Sequence, residues 1–400
     1  MANAERLACD GGTPVRRLLL PYGRQAIDDG DLRAVVDVLN SDWLTTGPMV
    51  ARFEEAFASA VGAAHAVAVS SGTAALHAAA FVSGAGPGDE IITTPMTFAA
   101  SANCARYVGA MPVFADVDDR TLNIDPAHVR ARLNARTKAI VAVDYSGQPV
   151  DLEELSGIAA QAGAVLIEDA CHALGAEYRG RRVGSLAAMT VFSTHPVKHI
   201  TTGEGGVITT NDAALAERLR RFRSHGITTD ARMREATGSW FYEMVELGYN
   251  YRLTDIQCAL GLSQLAHLDS WLQRRRAIVD RYQASLSQVP GVAVPYVLED
   301  RRSAWHLYVI RVDTGALRPG CDRGTVFRAL RAENIGVNVH YVPVNWHPYY
   351  RALGYGPGDC PISDAAYAQL ITLPLFPTMT DADADDVIAA VTKVMKAYHA

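Results

Sequence analysis

From residue 66 onward, the apolar and polar positions of this 400-residue chain repeat in one order: a short apolar run, a turn, then a stretch with helical spacing. The runs AVAV (66–69), EIITT (90–94), PVFADV (112–117), KAIVAV (138–143) and AVLIE (164–168) are short and mostly rich in β-branched residues, which predicts strands. Between them lie the Ala-rich SSGTAALHAAAF, then PMTFAASANCARYVG, a stretch opened by Pro126, and Leu152 to Gly163, which read as helices. Strand and helix alternating at this spacing predict an open, mostly parallel sheet covered by helices on both faces. MTVFS (189–193) and GVITT (206–210) bring the strands to seven. Only 12 residues separate these last two, too few for a crossover helix, so one strand of the pair is expected to run antiparallel.

The flanks read differently. Residues 1–25, with GGTPVRR and PYGRQ, predict an extended arm of the kind that lies on a partner subunit. Asp28 to Asn40 has helical spacing at Leu32, Val35, Val36 and Leu39, SDWLTTGP breaks the chain, and a second helix runs from Val50 to Val61. After Asn211 a helix is expected from Ala213 to His225, then a loop from Gly226 to Leu247 lying over the site. One long helix, spanning a hinge, is expected from Thr254 to about Leu286. HLYVIRV, a helix from Asp322 to Glu333, GVNVHYVP and a last helix from Asp381 to Tyr398 make a smaller α+β unit. The expected division is an arm (1–25), a large domain (26–275) and a small domain (276–400), as the length also favours.

Composition narrows the function. A hydrophobic fraction of 49%, 20% charged residues and a net charge of −6 describe a globular protein and argue against a nucleic-acid binder. The first residues lack an apolar leader core, and the most apolar stretch, Ala63 to Val82, is broken by Ser, Gly, Thr and His. A soluble cytoplasmic protein with no membrane partner is expected. The six cysteines form no C-x-x-C pair and no metal-ligand spacing, so no metal is expected and they read as reduced packing residues.

The chemistry centres on VFSTHPVKHITTGEGG, where Lys198 follows a strand end between Pro196 and Gly203. Alone it reads as a surface lysine. However, 29 residues upstream Glu168 and Asp169 close an apolar strand, where a carboxylate is costly unless paired. A lysine and a carboxylate on adjacent strand ends are what pyridoxal 5'-phosphate (PLP) requires: the lysine forms the Schiff base, and the carboxylate keeps the pyridine nitrogen protonated. A phosphate cradle is the third part, and Ser70-Ser71-Gly72-Thr73-Ala74 opens a helix whose free N–H groups converge. Such turns also cap many ordinary helices.

The segments GGTPVR, DWLTTGP, SSGTAALH, IEDACHALGA, HPVK, TTGEGG and YNYRLTDIQCALGLSQL together resemble the DegT/StrS sugar aminotransferases of the fold type I PLP enzymes, over nearly the whole chain. VDYSGQPVD, FRSHGI, GLSQL and VHYVP are similar to the subgroup that aminates C4 of a UDP-linked 4-keto-6-deoxy-N-acetyl sugar in pseudaminic acid assembly. The resemblance implies that Lys198 binds the cofactor and moves the proton, that Asp169 pairs with the pyridine nitrogen, and that Phe98 stacks on the ring. It places His172 near the O3′ side, although a structural histidine fits as well. Gly72, Thr73, Ala74 and Ser193 would surround the phosphate, and Asn250 would reach the neighbouring subunit's phosphate, making a homodimer part of the site. Tyr22, Trp43, Leu44, Thr45, Thr46, His340 and Tyr341 are its substrate candidates, each with a plainer reading as arm packing or edge strand. Thr194-His195 and the segment 229–240 depart from the subgroup pattern.

The implied reaction moves the amino group of L-glutamate to a nucleotide-linked 4-keto sugar. Transfer to C3, or to a keto-cyclitol, is the rival within the family. A PLP-dependent sugar dehydratase would have histidine where Lys198 stands. A regulator that binds sugar without turnover would be expected to lose Lys198 or Asp169.

Overall fold

In the computed structural model, which describes residues 6–229, 234 and 237–400, the seven expected strands form one sheet. They are β1 (His65–Val69), β2 (Glu90–Thr93), β3 (Met111–Phe114), β4 (Thr137–Val143), β5 (Val165–Asp169), β6 (Met189–Ser193) and β7 (Gly206–Thr210). The spatial order is β1-β7-β6-β5-β4-β2-β3. The pairs β2/β3, β2/β4, β4/β5 and β5/β6 are parallel. β7 runs antiparallel to both β6 and β1, as the short connection required.

Alternation along the strands builds a core on each face. Ile91, Val141, Ile167, Val191 and Ile208 pack under the helix Gly72–Val82 with its run of buried alanines. Ile92, Ile140 and Leu166 face the other way, onto Leu155 and Ile158 of the helix Leu152–Ala162. Near the β1 edge, Phe192 and Val207 meet Phe53 and Phe57 of the helix Pro48–Val61.

The expected long helix is two, Asp255–Leu265 and Leu268–Leu286, with a break at Ala266 and His267. Two tethers hold the break: Gln264 donates to Ala26 O and Asp31, and the His267 imidazole lies 3.0 Å from Asp28. The second helix begins in the large-sheet core with Leu268 and ends in the small-unit core with Ile278, Tyr282 and Leu286. That smaller core is built on a three-stranded antiparallel sheet, Val292–Ala293, Tyr308–Val312 and Leu370–Leu373, packed by Arg323–Ala332 and Asp381–Tyr398. GVNVHYVP supplies only an isolated bridge, Asn338 to Thr372. The third strand is Leu370–Leu373, whose four apolar or β-branched residues before Pro374 were the available signal.

The N-terminal segment, expected to reach a partner, packs over residues 7–22 on its own small unit. Leu7 and Leu20 are buried there, Leu20 bridges Ile335, and Arg16 pairs with Asp383 and Asp386. Leu7 and Leu20 supply the apolar anchors that a free arm would lack. The expected loop 226–247 lies partly outside the described residues, as does the departure at 229–240. No helix among the described residues is long and apolar enough to cross a membrane.

Candidate active site

Consecutive residues of a strand point to opposite faces, and the end of β5 uses this to separate two carboxylates. Asp169 accepts from the Ser101 hydroxyl at 2.6 Å and from the Cys171 N–H at 3.2 Å, and a Thr97–Ser101 hydroxyl contact of 2.7 Å backs up the first bond. Glu168 faces the other way, accepts from the Thr190 hydroxyl at 2.8 Å and lies against Asp144. Burial pushes the Asp144 carboxyl well above its ordinary range and the Glu168 carboxyl up to about 7, so this pair keeps a proton at neutral pH.

Lys198 follows β6 in a turn closed by its own N–H to His195 O at 2.9 Å. Desolvation lowers its pKa, and the nearby Cys171 and Asp169 oppose that shift. A lysine whose ammonium form is disfavoured supplies the free amine that covalent and proton-transfer chemistry need.

The turn after β1 starts the helix Gly72–Val82. Ser71 caps it, its hydroxyl accepting from Ala74 N–H at 3.0 Å. Gly72 leaves little room for a side chain: a Cβ there would sit 3.0 Å from the Ser193 Cβ and 3.4 Å from the Cys171 sulfur. The first amides of a helix have no partner within it, which leaves those of Gly72 and Thr73 beside Ser193 as an anion cradle.

These groups open into one cavity of about 610 Å³. Gly72, Thr73, Asp169, Ser193 and Lys198 form its sheet side; Phe98, 61% exposed, also lines it. The facing wall comes from the small unit, through Asn338, His340 and Tyr341, joined by Tyr22 of the N-terminal segment. His340 is anchored to the Thr372 hydroxyl at 2.8 Å, and its ring lies 5.4 Å from that of Tyr22. The Tyr341 hydroxyl lies 3.1 Å from His172 Nε2. Burial is the main cause that keeps His172, His199, His306 and His340 neutral, and the charge of Lys198 adds to it in each.

Of the residues singled out from the sequence, ten line this cavity: Tyr22, Gly72, Thr73, Phe98, Asp169, His172, Ser193, Lys198, His340 and Tyr341. Ala74 does not, and its N–H is already bonded to Ser71, so the donors at the cradle are its two predecessors. Asn250 and the turn Trp43 to Thr46 also lie outside the cavity; Asn250, Trp43, Leu44 and Thr45 are exposed. Residues not foreseen include Ser101, Cys171, Glu204, His306 and Asn338. Ser101 had a signal, standing three residues after Phe98 at helical spacing. His306 had none, since it opens an ordinary strand pattern.

The residues present fit PLP. The amide cradle beside Ser193 suits a phosphate, Asp169 is fixed as an acceptor, and Lys198 faces the same cavity. The fold and these three parts define a fold type I PLP-dependent enzyme. The chain matches the DegT/DnrJ/EryC1/StrS aminotransferase family over residues 25–392 and belongs to it. It is a PLP-dependent aminotransferase. It is 44% identical over 384 residues to the spore coat polysaccharide biosynthesis protein SpsC of Bacillus subtilis, covering 95% of this chain and 98% of that one. Among solved structures, PseC of Helicobacter pylori, an aminotransferase involved in pseudoaminic acid biosynthesis, superposes with a TM-score of 0.88. It is 33% identical, over 95% of this chain and 100% of that one. Spr1654 of Streptococcus pneumoniae, in its PMP form, gives a TM-score of 0.88 at 32% identity, over 94% and 99%.

Proposed function

We propose that this enzyme transfers the amino group of L-glutamate to the C4 carbonyl of a nucleotide-linked 4-keto-6-deoxy sugar. The observation that carries the reading is the cavity itself: a reactive lysine and an anion cradle on one side, and a polar wall of Asn338, His340, Tyr341 and Tyr22 on the other. That wall can orient a pyranose by its hydroxyls. The likeness to SpsC and PseC, one named for polysaccharide and the other for a sugar acid, supports a sugar acceptor.

When bound, PLP supplies the electron sink that stabilises the carbanion. Lys198 would hold the cofactor and, as a free amine, would carry a proton, for which its lowered pKa suits it. Asp169, held by Ser101 and the Cys171 amide, would offer its carboxylate to the pyridine nitrogen. Gly72, Thr73 and Ser193 would hold the phosphate, and Phe98 and His172 would hold the ring. His340, Tyr341 and Tyr22 hold the sugar.

A second copy of the chain completes the site. Asn250 and the Trp43 to Thr46 turn lie outside the cavity of their own chain, and each has exposed apolar side chains near it in the sequence. Leu44, Met244, Val245, Leu247 and Tyr249 are all exposed there. A homodimer that buries this surface would bring Asn250 to the partner's phosphate and the Trp43 turn to the partner's sugar.

The test is a matched set of glutamate-dependent reactions with UDP-, dTDP- and GDP-linked keto sugars, with the product identified by mass spectrometry. Amination of a UDP-4-keto-6-deoxy-N-acetylhexosamine, over tenfold better than of its 3-keto isomer, is the expected result. Equal or faster amination of the 3-keto isomer would overturn the position assigned while leaving the lysine chemistry in place.

A further inference from the structure

His340 and Tyr341, which face the catalytic sheet across the cavity, lie in a segment that the small sheet holds at its start. Asn338 exchanges main-chain bonds with Thr372, at 3.2 and 2.8 Å, and the chain then leaves the sheet. Val339 N–H turns back onto the Asn338 side chain at 2.8 Å. At the far end, Val344 N–H donates across the seam to Pro95 O at 3.0 Å. Between these anchors the His340 carbonyl accepts from the Tyr145 hydroxyl at 2.5 Å. The direction of that bond is settled, because a carbonyl has no hydrogen to give.

Tyr145 comes from the large-sheet side, and its place there is set by the strands that carry the chemistry. It follows β4, whose Val143 stands opposite Asp169 of β5, and the Asp144 N–H donates to the Asp169 carbonyl at 3.1 Å. The Tyr145 N–H donates to the Asn123 side chain at 2.9 Å, and Asn123 in turn donates to Gln148 O and Pro149 O. The ring is 3% exposed and packs with Met96, Val117 and Leu122 from one side of the seam and Leu307, Val309 and Leu370 from the other. A phenol buried here needs an acceptor, and the one it meets is the peptide carbonyl between the two wall residues.

The geometry points to Tyr145 as a positioning residue that refers the wall of His340 and Tyr341 to the same strand ends as Asp169. Strand β5 carries Asp169, β4 leads to Tyr145, and the hydroxyl hands that fixed spacing to the wall. Thr372 holds the His340 ring from the small-unit side, so the wall rests on two supports. A wall at a set distance from Lys198 and Asp169 brings one carbonyl of a pyranose to the reacting amine and keeps its neighbour away, since orientation decides which atoms reach bonding distance. Tyr145 itself does not line the cavity. The step from wall to sugar rests on the reading proposed above; the tether does not.

Tyr145→Phe removes one oxygen and leaves the ring in its cluster. Hydrogen exchange read by mass spectrometry on the full-length protein tests the tether without any substrate. The amides of 339–344 are expected to exchange about tenfold faster in the variant, while those of Tyr308–Val312 and Leu370–Leu373 keep the wild-type rate. With the keto sugars, KM for the 4-keto acceptor rises about tenfold, kcat falls less, and the preference between 4-keto and 3-keto isomers shrinks to within a few-fold. The glutamate half-reaction, followed as 2-oxoglutarate formed in a single turnover of PLP-loaded enzyme, stays within about twofold of wild type. Tyr350→Phe is the control: that phenol, 2% exposed, also crosses the seam, to Asn103 at 2.7 Å, but away from the wall. It should lower stability with none of the other changes. Unchanged exchange at 339–344 overturns the tether. Faster exchange there with KM and isomer preference unmoved, or with both half-reactions falling alike, overturns the positioning role. A wild type that aminates none of the keto sugars refutes the sugar reading separately, and the exchange result still decides the tether.

Discussion

The two halves of the site are built in different ways. On the sheet side, Asp169, Ser101, Ser71 and Lys198 are held by bonds inside one chain, at strand ends and a helix start that the core fixes. On the outer side, Phe98, Trp43, Leu44 and Asn250 are exposed, as are Met244, Val245, Leu247 and Tyr249 in the segment before Asn250. The inner half performs chemistry that tolerates little displacement, and a fold core is the stiffest support available. Under the proposed dimer the outer half would meet the variable part of the substrate and take its order from association.

The strongest way to test the division is to remove inner groups. Lys198→Ala is expected to lower turnover by at least about 10²–10⁴-fold and to abolish the adduct that borohydride fixes to the protein. Labelling of another lysine in wild type would refute the assignment. Asp169→Asn should keep cofactor yet lose about 10²–10³-fold in kcat, because a neutral amide cannot hold the pyridinium. Activity within a few-fold of wild type would remove Asp169 from that role. Ser101→Ala, which only loosens Asp169, should cost about tenfold.

The outer half is tested by mixing. Lys198→Ala and Asn250→Ala chains, each weakened alone, should together regenerate one intact site per heterodimer, with the largest gain at low PLP. If subunit exchange is verified and no activity returns, Asn250 serves its own chain and the two halves are not divided between subunits.

The same division decides what was legible in the sequence. All seven strands of the large sheet were readable, because both of its faces are buried and each strand is a nearly unbroken apolar run. Lys198, Asp169 and the Gly72 turn could be picked out because each stands at the end of a strand or the start of a helix, and the structure brings all three to one cavity. The break at Ala266 was not, since it depends on Gln264 and His267 finding partners more than 230 residues away. Leu7 and Leu20 looked like parts of a loose arm, and only the small unit's core shows why they are apolar. His306 was hidden for the same reason: its ring lies beside that of His172, 134 residues away in sequence, and no spacing along the chain encodes it.

The smallest effect tests how the inner half bears its own burial. Asp169 is stabilised by donors, whereas its sequence neighbour Glu168 shares the reverse face of the sheet with Asp144, and desolvation raises both carboxyls. In the unfolded chain they titrate near about 4. The folded chain therefore binds more protons than the unfolded one above that pH, and stability must fall as pH rises. For Glu168 the window runs from the ordinary carboxylate value to about 7, and below it the full contribution is present. Glu168→Gln fixes the neutral form and removes one proton from this linkage, at most about 1.4 kcal/mol per pH unit. Urea unfolding at pH 5 and pH 7 is the measurement. Wild type should lose more stability than Glu168→Gln between the two, because only the carboxylate has to be ionised against burial. Equal losses would mean that Glu168 is already charged in the folded protein at pH 5, and that the reverse face of β5 is as well solvated electrostatically as the face that carries Asp169.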